Sequence, residues 1–544
     1  MMTDMNIAEE LRGIVSDVLD DPQTLEAASQ DASLFHITPE VVVAPKTVEE
    51  IRRLVRYASA KNDVSLTVRS GGTDMSGGAL TESIVINVSK HINKLKHIRS
   101  GQATVQPGMF YRDFEVETLK HNLLLPSYPA SRNLCTVGGM VANNSAGEKT
   151  LMYGKTAKFV KSLRVVLSDG NEYEIRPLSA KEAQAKMSET SFEGNLYRTL
   201  ATIISENEDV IRQATPTVSK NSSGYDLWDV WDGETFDMTK LFVGSQGTLG
   251  IITEITFDLI TPKKHSQMLV LSLKTLKDVP EIVARLLKFK PESMESYDRQ
   301  TLKLALKYFP EMIKQMKSVQ TLSLLTQLIP DIGLFIRGGI PHLMVLAEFT
   351  GDDEAEIKDR MKQAQAAVKD LVAASRVTTS AQDAEKYWVI RRESFNLLRN
   401  KMRGLQTAPF IDDFIVEPKF LPEFMPKLEA ILSEYNIFFT IAGHVGEGNF
   451  HIIPLMDLSN PIQRAIIPEL SKKVYDLVFA YGGSMSAEHN DGLIRSHYLP
   501  QMFGKNMYKL FEEVKHLFDP KNIFNPGKKV NSDWKYALAH IKKG

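Results

Sequence analysis

Three glycine-rich loops, each adjoining a strand-like apolar run, constrain this chain more than any other feature. They read VSLTVRSGGTDMSGG at 64–78, TVGGMVANNSAGEKTLMYG at 136–154 and LFVGSQGTLGIITEI at 241–255. Glycine has no Cβ, so clustered glycines let backbone N–H groups close around a pyrophosphate. The first two loops carry paired glycines, Gly71-Gly72 and Gly138-Gly139, and neither has the GxGxxG spacing of a nicotinamide-type dinucleotide site. Asn143-Asn144-Ser145-Ala146-Gly147 follows the second pair. Any one of these loops alone reads as a turn.

The chain of 544 residues is long enough for two or three domains, each with its own core. Its 43% hydrophobic content and formal net charge of −2 describe an ordinary globular protein, with no basic excess for nucleic acid. The acidic start, MMTDMNIAEELRGIVSDVLDD, has neither a basic nor an apolar segment of a secretory signal, which predicts a cytoplasmic protein. Cys135 is the only cysteine, so intrachain disulfides, Cys-ligated iron–sulfur clusters and zinc knuckles are excluded. It reads as a small filler beside the second loop.

A helix is expected near 7–19, then strand, turn and amphipathic helix over 41–62, with Ile51, Leu54, Val55 and Ala58 at helical spacing. The alternation runs to about 260, where TPKKH makes a polar break. Two strand–helix units follow, at 269–289 and 343–372, and predict a second α+β domain whose sheet carries helices on one face. Residues 318–330 carry no charge and are too few to span about 30 Å of hydrocarbon as a helix. They read as a buried helical insertion or subunit contact, or else as a patch for a membrane or electron-transfer partner.

A second constellation lies downstream. IAGHVGEGNFHIIP at 441–454 brings His444 and His451 together across a glycine-rich hexapeptide, and SMSAEHNDGLIR at 484–495 supplies Glu488 and His489. Two imidazoles and a carboxylate suit a divalent transition metal with positions left open for substrate oxygens.

The three loops together resemble the FAD-binding half of the vanillyl-alcohol oxidase / p-cresol methylhydroxylase flavoprotein superfamily, over most of 41–261. The resemblance implies an α+β fold with a two-subdomain FAD-binding domain of the p-cresol methylhydroxylase type at 1–262. An α+β substrate (cap) domain with an antiparallel sheet follows at 263–514, with a helical insertion near 302–341, and a C-terminal segment at 515–544 returns to the FAD domain. The implied FAD contacts are Arg69, Ser70, Gly71, Gly72, Thr73, Asp74, Gly77, Gly138, Gly139, Asn143, Ser145, Gly147, Gly154, Gly247, Ile251, Ile252 and Asn525. Thr73 stands where members with a histidyl–flavin bond carry His, so FAD is expected to be non-covalent, Cys135 being the only candidate thiol tether.

The second constellation is similar to the FAD-linked D-2-hydroxy acid dehydrogenases, which carry GHxGDGNxH followed by EHG. That resemblance implies His444, His451 and Glu488 as metal ligands (zinc first, manganese or iron as alternatives) and His489 as general base. Arg391, in Trp388-Val389-Ile390-Arg391, would clamp the substrate carboxylate, with Arg392 as its rival. The implied reaction is oxidation of a D-2-hydroxy acid by hydride transfer to flavin N5. Glu447 replaces an Asp and Asn490 a Gly of the pattern, and Ile453 stands where glycolate and D-2-hydroxyglutarate members carry Asn, which favours D-lactate. Against this, KNSSGYDLWDV at 220–230 and the FDPKNIFNPG tail resemble long members fused to an iron–sulfur domain. Glycolate or D-2-hydroxyglutarate stay open as substrates. So do an alkyl-dihydroxyacetone-phosphate synthase-like transferase, an alcohol or sugar oxidase, and a non-catalytic flavoprotein subunit of a glycolate-oxidising complex. Electrons are expected to pass to a separate iron–sulfur protein, cytochrome or quinone; peripheral membrane contact and a homo-oligomer are also compatible.

Overall fold

Val41–Val43 and Ile84–Asn87 are short apolar runs buried almost throughout, as strands of a parallel sheet must be. The computed structural model, which describes residues 6–303, 307, 340–401 and 404–543, places Ile84–Asn87 between Val41–Val43 and Leu66–Arg69, parallel to both. Val18–Leu19 adds an antiparallel edge. The helix Val48–Ala60 makes the crossover. Its cap, Thr47, accepts a hydrogen bond from Glu50 N–H, and Ile51, Leu54, Val55 and Ala58 form its buried face as the spacing predicts.

A second sheet is antiparallel, in the order Leu95–Arg99, Gln102–Val105, Ile251–Asp258, Val160–Val166, Glu172–Ile175. Its central strand buries every other residue, so Ile251 enters the core while Ile252 is presented to the opposite side. The uncharged stretch at 318–330 lies outside the described residues.

Among the described residues, the third sheet is antiparallel and eight-stranded. Helices Val279–Leu287, Glu354–Ala367 and Leu421–Ser433 pack on one face over Leu269, Leu271, Val345 and Ala347. The helix Ala381–Lys401 sets Tyr387, Trp388 and Ile390 against Met268, Val270, Met344 and Leu346 on the other. The expectation of helices on one face is therefore corrected. The continuous apolar runs of the strands His265–Leu273 and Leu343–Gly351 bury residues of both parities, and each face needs its own cover.

The chain rejoins the glycine-loop half early. Leu499–Phe518 buries Phe503, Met507, Phe511 and Val514 in the core that also holds Val137, Leu163 and Leu196, so the expected boundary at 515 falls inside this helix. Beyond it, Leu66 N–H donates to Ile523 O, laying the tail along the edge of the parallel sheet. The fully buried Lys529 Nζ donates to Ser222 O, Gly224 O and Asp491 Oδ2, pinning the tail to two distant segments with one ion pair. No helix among the described residues is long and apolar enough to cross a membrane.

Removing one partner of a buried pair strands the other charge, which typically costs about 3–5 kcal/mol. Lys529→Met should lower unfolding free energy by that order in a denaturant titration. A midpoint like that of the parent protein would show that Asp491 finds another cation.

Candidate active site

A cavity of about 760 Å³ runs between the glycine loops and the eight-stranded sheet. Ser70, Gly71, Gly72, Thr73 and Asp74 line it directly after the strand Leu66–Arg69, and Gly138, Gly139, Asn143, Ser145, Gly247 and Ile252 line it from the other loops. Two glycines show why no larger residue fits. A Cβ on Gly71 would lie 2.3 Å from the Leu134 carbonyl oxygen, and one on Gly138 2.4 Å from Pro107 Cβ. Gly247, at φ +69°, has nothing within 4 Å of such an atom, so its bare face borders open cavity.

Six residues expected at the cofactor do not line this cavity. The Arg69 guanidinium turns back to the carbonyls of Ala28 and Gln30. Gly77 packs against Phe35, Gly147 against the Tyr128 carbonyl and Gly154 beside Lys158, while Ile251 lies in the core. Asn525 is a strut, its Nδ2 donating to the carbonyls of Gly78 and Gln246 and so tying the first loop to the third. Asn525 thus shapes the loops from behind.

The other end of the cavity is polar. Phe438–His444 and Asn449–Met456 form an antiparallel hairpin, with Ala442 opposite His451 and Thr440 opposite Ile453. Side-chain alternation therefore puts Thr440, Ala442, His444, His451 and Ile453 on the cavity wall. At the turn Gly448 takes φ +76°, where a Cβ would lie 1.9 Å from the Val416 carbonyl oxygen, so only glycine closes the hairpin.

Glu488 and His489 arrive on a loop fastened by Asp413, whose Oδ2 accepts hydrogen bonds from Ser486 Oγ, Glu488 N–H and His489 N–H. His444 Nε2 and His451 Nε2 each lie 3.1 Å from Glu488 Oε1, and His489 Nε2 lies 3.9 Å from it. Each ring is held at Nδ1 by a carboxylate. His444 meets Glu295 Oε1 at 2.5 Å, His451 meets Asp412 Oδ1 at 3.0 Å and His489 meets Asp412 Oδ2 at 2.6 Å. All three Nε2 atoms are thereby turned inward. The Asn490 departure is accommodated by its φ of +69°, a region asparagine tolerates, and its Nδ2 donates to the carbonyls of Gly244 and Asn143.

The electrostatics follow from burial opposed by neighbours. Burial disfavours charge on His444, yet Glu295 outweighs it and raises the imidazole to about 9. Asp412 does the same for His451, again to about 9, and Asp413 with Asp412 raises His489. Burial would push Glu295 up, but His444 and Arg391 bring it down to about 2. The cluster thus draws positive charge.

Both candidate arginines line the cavity. Arg392 Nε and Nη2 are taken by the two oxygens of Glu148, at 3.1 and 2.6 Å, over the Trp388 ring. Arg391 reaches Glu295 Oε2 through Nε at 3.1 Å. Glu295, Asp412 and Asp413 were not singled out from the sequence, because neither a lone glutamate nor an Asp-Asp pair carries a local motif.

Residues 39–176 match the FAD binding domain family, and residues 262–529 match the C-terminal domain of FAD linked oxidases. The chain thus carries an FAD binding domain followed by a C-terminal domain of the FAD linked oxidase type. It is 27% identical over 542 residues to D-2-hydroxyglutarate dehydrogenase of Escherichia coli (strain K12), covering 96% of this chain and 51% of that protein. The chain spans about half the length of that and three further D-2-hydroxyglutarate dehydrogenases it matches. It is also 27% identical over 493 residues to D-lactate dehydrogenase of Archaeoglobus fulgidus, covering 90% of this chain and 91% of that one. To glycolate oxidase subunit GlcD of Bacillus subtilis (strain 168) it is 26% identical over 507 residues, covering 92% and 90%. Among solved structures, 4-ethylphenol oxidase from Gulosibacter chungangensis superposes with a TM-score of 0.69 at 16% identity, covering 97% of both chains. The fold is thus the α+β, p-cresol methylhydroxylase type expected from the family resemblance.

Gly71→Ala must displace the 131–135 loop or the first glycine loop, and both line the cofactor cavity. FAD affinity should fall at least about tenfold, or ~1.4 kcal/mol, read from the ratio of flavin to protein absorbance after gel filtration. Full flavin retention would show that the loop absorbs the extra methyl group.

Proposed function

We propose that this protein oxidises a small 2-hydroxy acid, D-lactate being the first candidate, with non-covalent FAD as acceptor and a divalent ion held by His444, His451 and Glu488. The observation that carries the reading is the convergence of three imidazole Nε2 atoms on one Glu488 oxygen at the polar end of the glycine-loop cavity. The donor set fits such an ion. Glu488 Oε2 is buried with no hydrogen-bond partner among the described residues, and carboxylates brace the rings at Nδ1 as they do around metal-bound histidines. Zinc is the first candidate for this N,N,O set, with manganese or iron as alternatives. Asp413, His451, Glu488 and His489 offer donor atoms that all lie within 4.8 Å of one another, a set that leaves out His444. Asp413 Oδ2 is committed to three donors and His489 stands further from Glu488, which favours His444 as the third ligand.

Bound FAD supplies an acceptor for the α-hydrogen and its electron pair, and a bound divalent ion supplies Lewis acidity towards the α-hydroxyl. His489 Nε2 takes the hydroxyl proton, its Nδ1–H donating to Asp412 Oδ2, which fixes the tautomer and stabilises the imidazolium that forms. Arg391 is the first candidate to bind the substrate carboxylate through a planar fork, with Glu295 Oε2 at its Nε, and Arg392, held by Glu148 at Nε and Nη2, stays its rival. Thr440, Ala442 and Ile453, on the same hairpin face as the histidines, offer the substrate tail no cation. That wall favours the methyl group of lactate over a second carboxylate and leaves glycolate as the shorter alternative. The transferase and non-catalytic readings give the three imidazoles no task.

A covalent flavin is disfavoured. Thr73 is no tether, and burial pushes the Cys135 thiol up to about 12, removing the thiolate. Acid precipitation should leave the yellow colour in the supernatant, whereas a yellow washed pellet would contradict this. Reduced flavin is expected to pass electrons to a separate iron–sulfur protein, cytochrome or quinone.

The deciding experiment is anaerobic mixing of the flavoprotein with D-lactate, L-lactate, glycolate and D-2-hydroxyglutarate. D-lactate should bleach the flavin fastest, and a strong chelator should abolish bleaching with FAD retained. Silence towards the whole panel would overturn the dehydrogenase reading. His489→Ala should slow flavin reduction by about 10²–10⁴-fold with metal content unchanged; a native rate would move the base elsewhere.

A further inference from the structure

Lys220 opens the KNSSGYDLWDV segment, to which the reading above gives no role. Its side chain is wholly buried. Nζ lies 2.5 Å from Glu447 Oε2 and 3.8 Å from Glu488 Oε2. Glu447 is itself buried, in the turn between the two histidine strands, and the obligatory glycine beside it holds that turn against Val416. A buried ammonium has no reason to persist unless opposed charges hold it there. Here both opposed charges belong to the site. Glu447 sits on the histidine hairpin and Glu488 on the loop that carries the base.

The placement of the two Glu488 oxygens shows what the ammonium does. Oε1 faces the three imidazoles, and Oε2 faces Lys220 with no hydrogen-bond partner among the described residues. A fixed cation behind Oε2 biases the carboxylate rotation so that Oε1 alone points forward. Outer partners of this kind typically govern about 10–100-fold in metal affinity.

We propose that Lys220, anchored by Glu447, is a positioning residue that sets Glu488 for ligation through one oxygen, so that its charge controls ion binding and leaves flavin binding untouched. The proposal rests on the metal reading above, and the test separates the two. The FAD-loaded protein is titrated with zinc against a chromophoric chelator, and the cobalt-loaded form is examined for its visible ligand-field spectrum. If the parent protein competes for no zinc, the metal reading itself fails, and this proposal with it. If it binds zinc, Lys220→Met should weaken the affinity at least tenfold, alter the cobalt spectrum and keep the FAD-to-protein ratio, while Lys220→Arg should restore affinity to within about threefold. Parent-like zinc affinity and cobalt spectrum in Lys220→Met would overturn the proposal, as would loss of zinc and FAD together. Should Lys220→Met fail to accumulate folded, Glu447→Asp withdraws the anchor by one methylene and is judged by the same two readouts.

Discussion

The Asp412-Asp413 corner holds the candidate site together. Asp412 divides its two oxygens between the Nδ1 atoms of His451 and His489, so one carboxylate orients both a proposed ligand and the proposed base. Asp413 gathers the backbone of Glu488 and His489 and the hydroxyl of Ser486 on a single oxygen. Both acids are fully buried, and Arg495, also buried, donates to Asp412 O and Asn490 O. A corner this dense in charge is stable because its donors and acceptors are paired, and low dielectric strengthens each pairing. It couples the hairpin to the base loop rigidly enough to define one geometry.

A second set of ionic contacts joins the glycine-loop half to the eight-stranded sheet. The second loop continues into Glu148 and Lys149, which reach Arg392 and Glu292 across the boundary. Lys155, at the loop's end, donates to Asn221 O, Ser222 Oγ and Ala487 O, the last being the carbonyl just before Glu488. The segment that shapes the proposed flavin pocket is therefore continuous with the one that fixes the proposed ligand. Proximity of acceptor and acid–base group is a property of the backbone here, and orientation of that kind accounts for much of what an enzyme contributes to a barrier.

What was legible in the sequence was local. Glycines demanded by positive φ or close backbone approach left a readable trace at 71–72, 138–139 and 446–448, and HVGEGNFH marked two histidines across a glycine-rich loop. The partners that give those residues their chemistry were not legible. Glu295 lies 149 positions from His444, and Glu148 lies 244 from Arg392. A lone carboxylate looks the same in sequence whether it faces solvent or a buried imidazole.

The sequence by itself marked the three loops and the histidine–glutamate set, because each depends on backbone freedom or residue type within a short span. Only the tertiary structure decided which loop residues face the cavity and which brace it from behind, as the outward turn of Arg69 and the strut role of Asn525 illustrate. It likewise set Arg391 against Glu295 and Arg392 against Glu148, and placed Lys220 behind Glu488. The physical reason is the same throughout. Side-chain direction and charge pairing are set by what another part of the chain brings within a few ångströms, and no run of neighbouring residues encodes that.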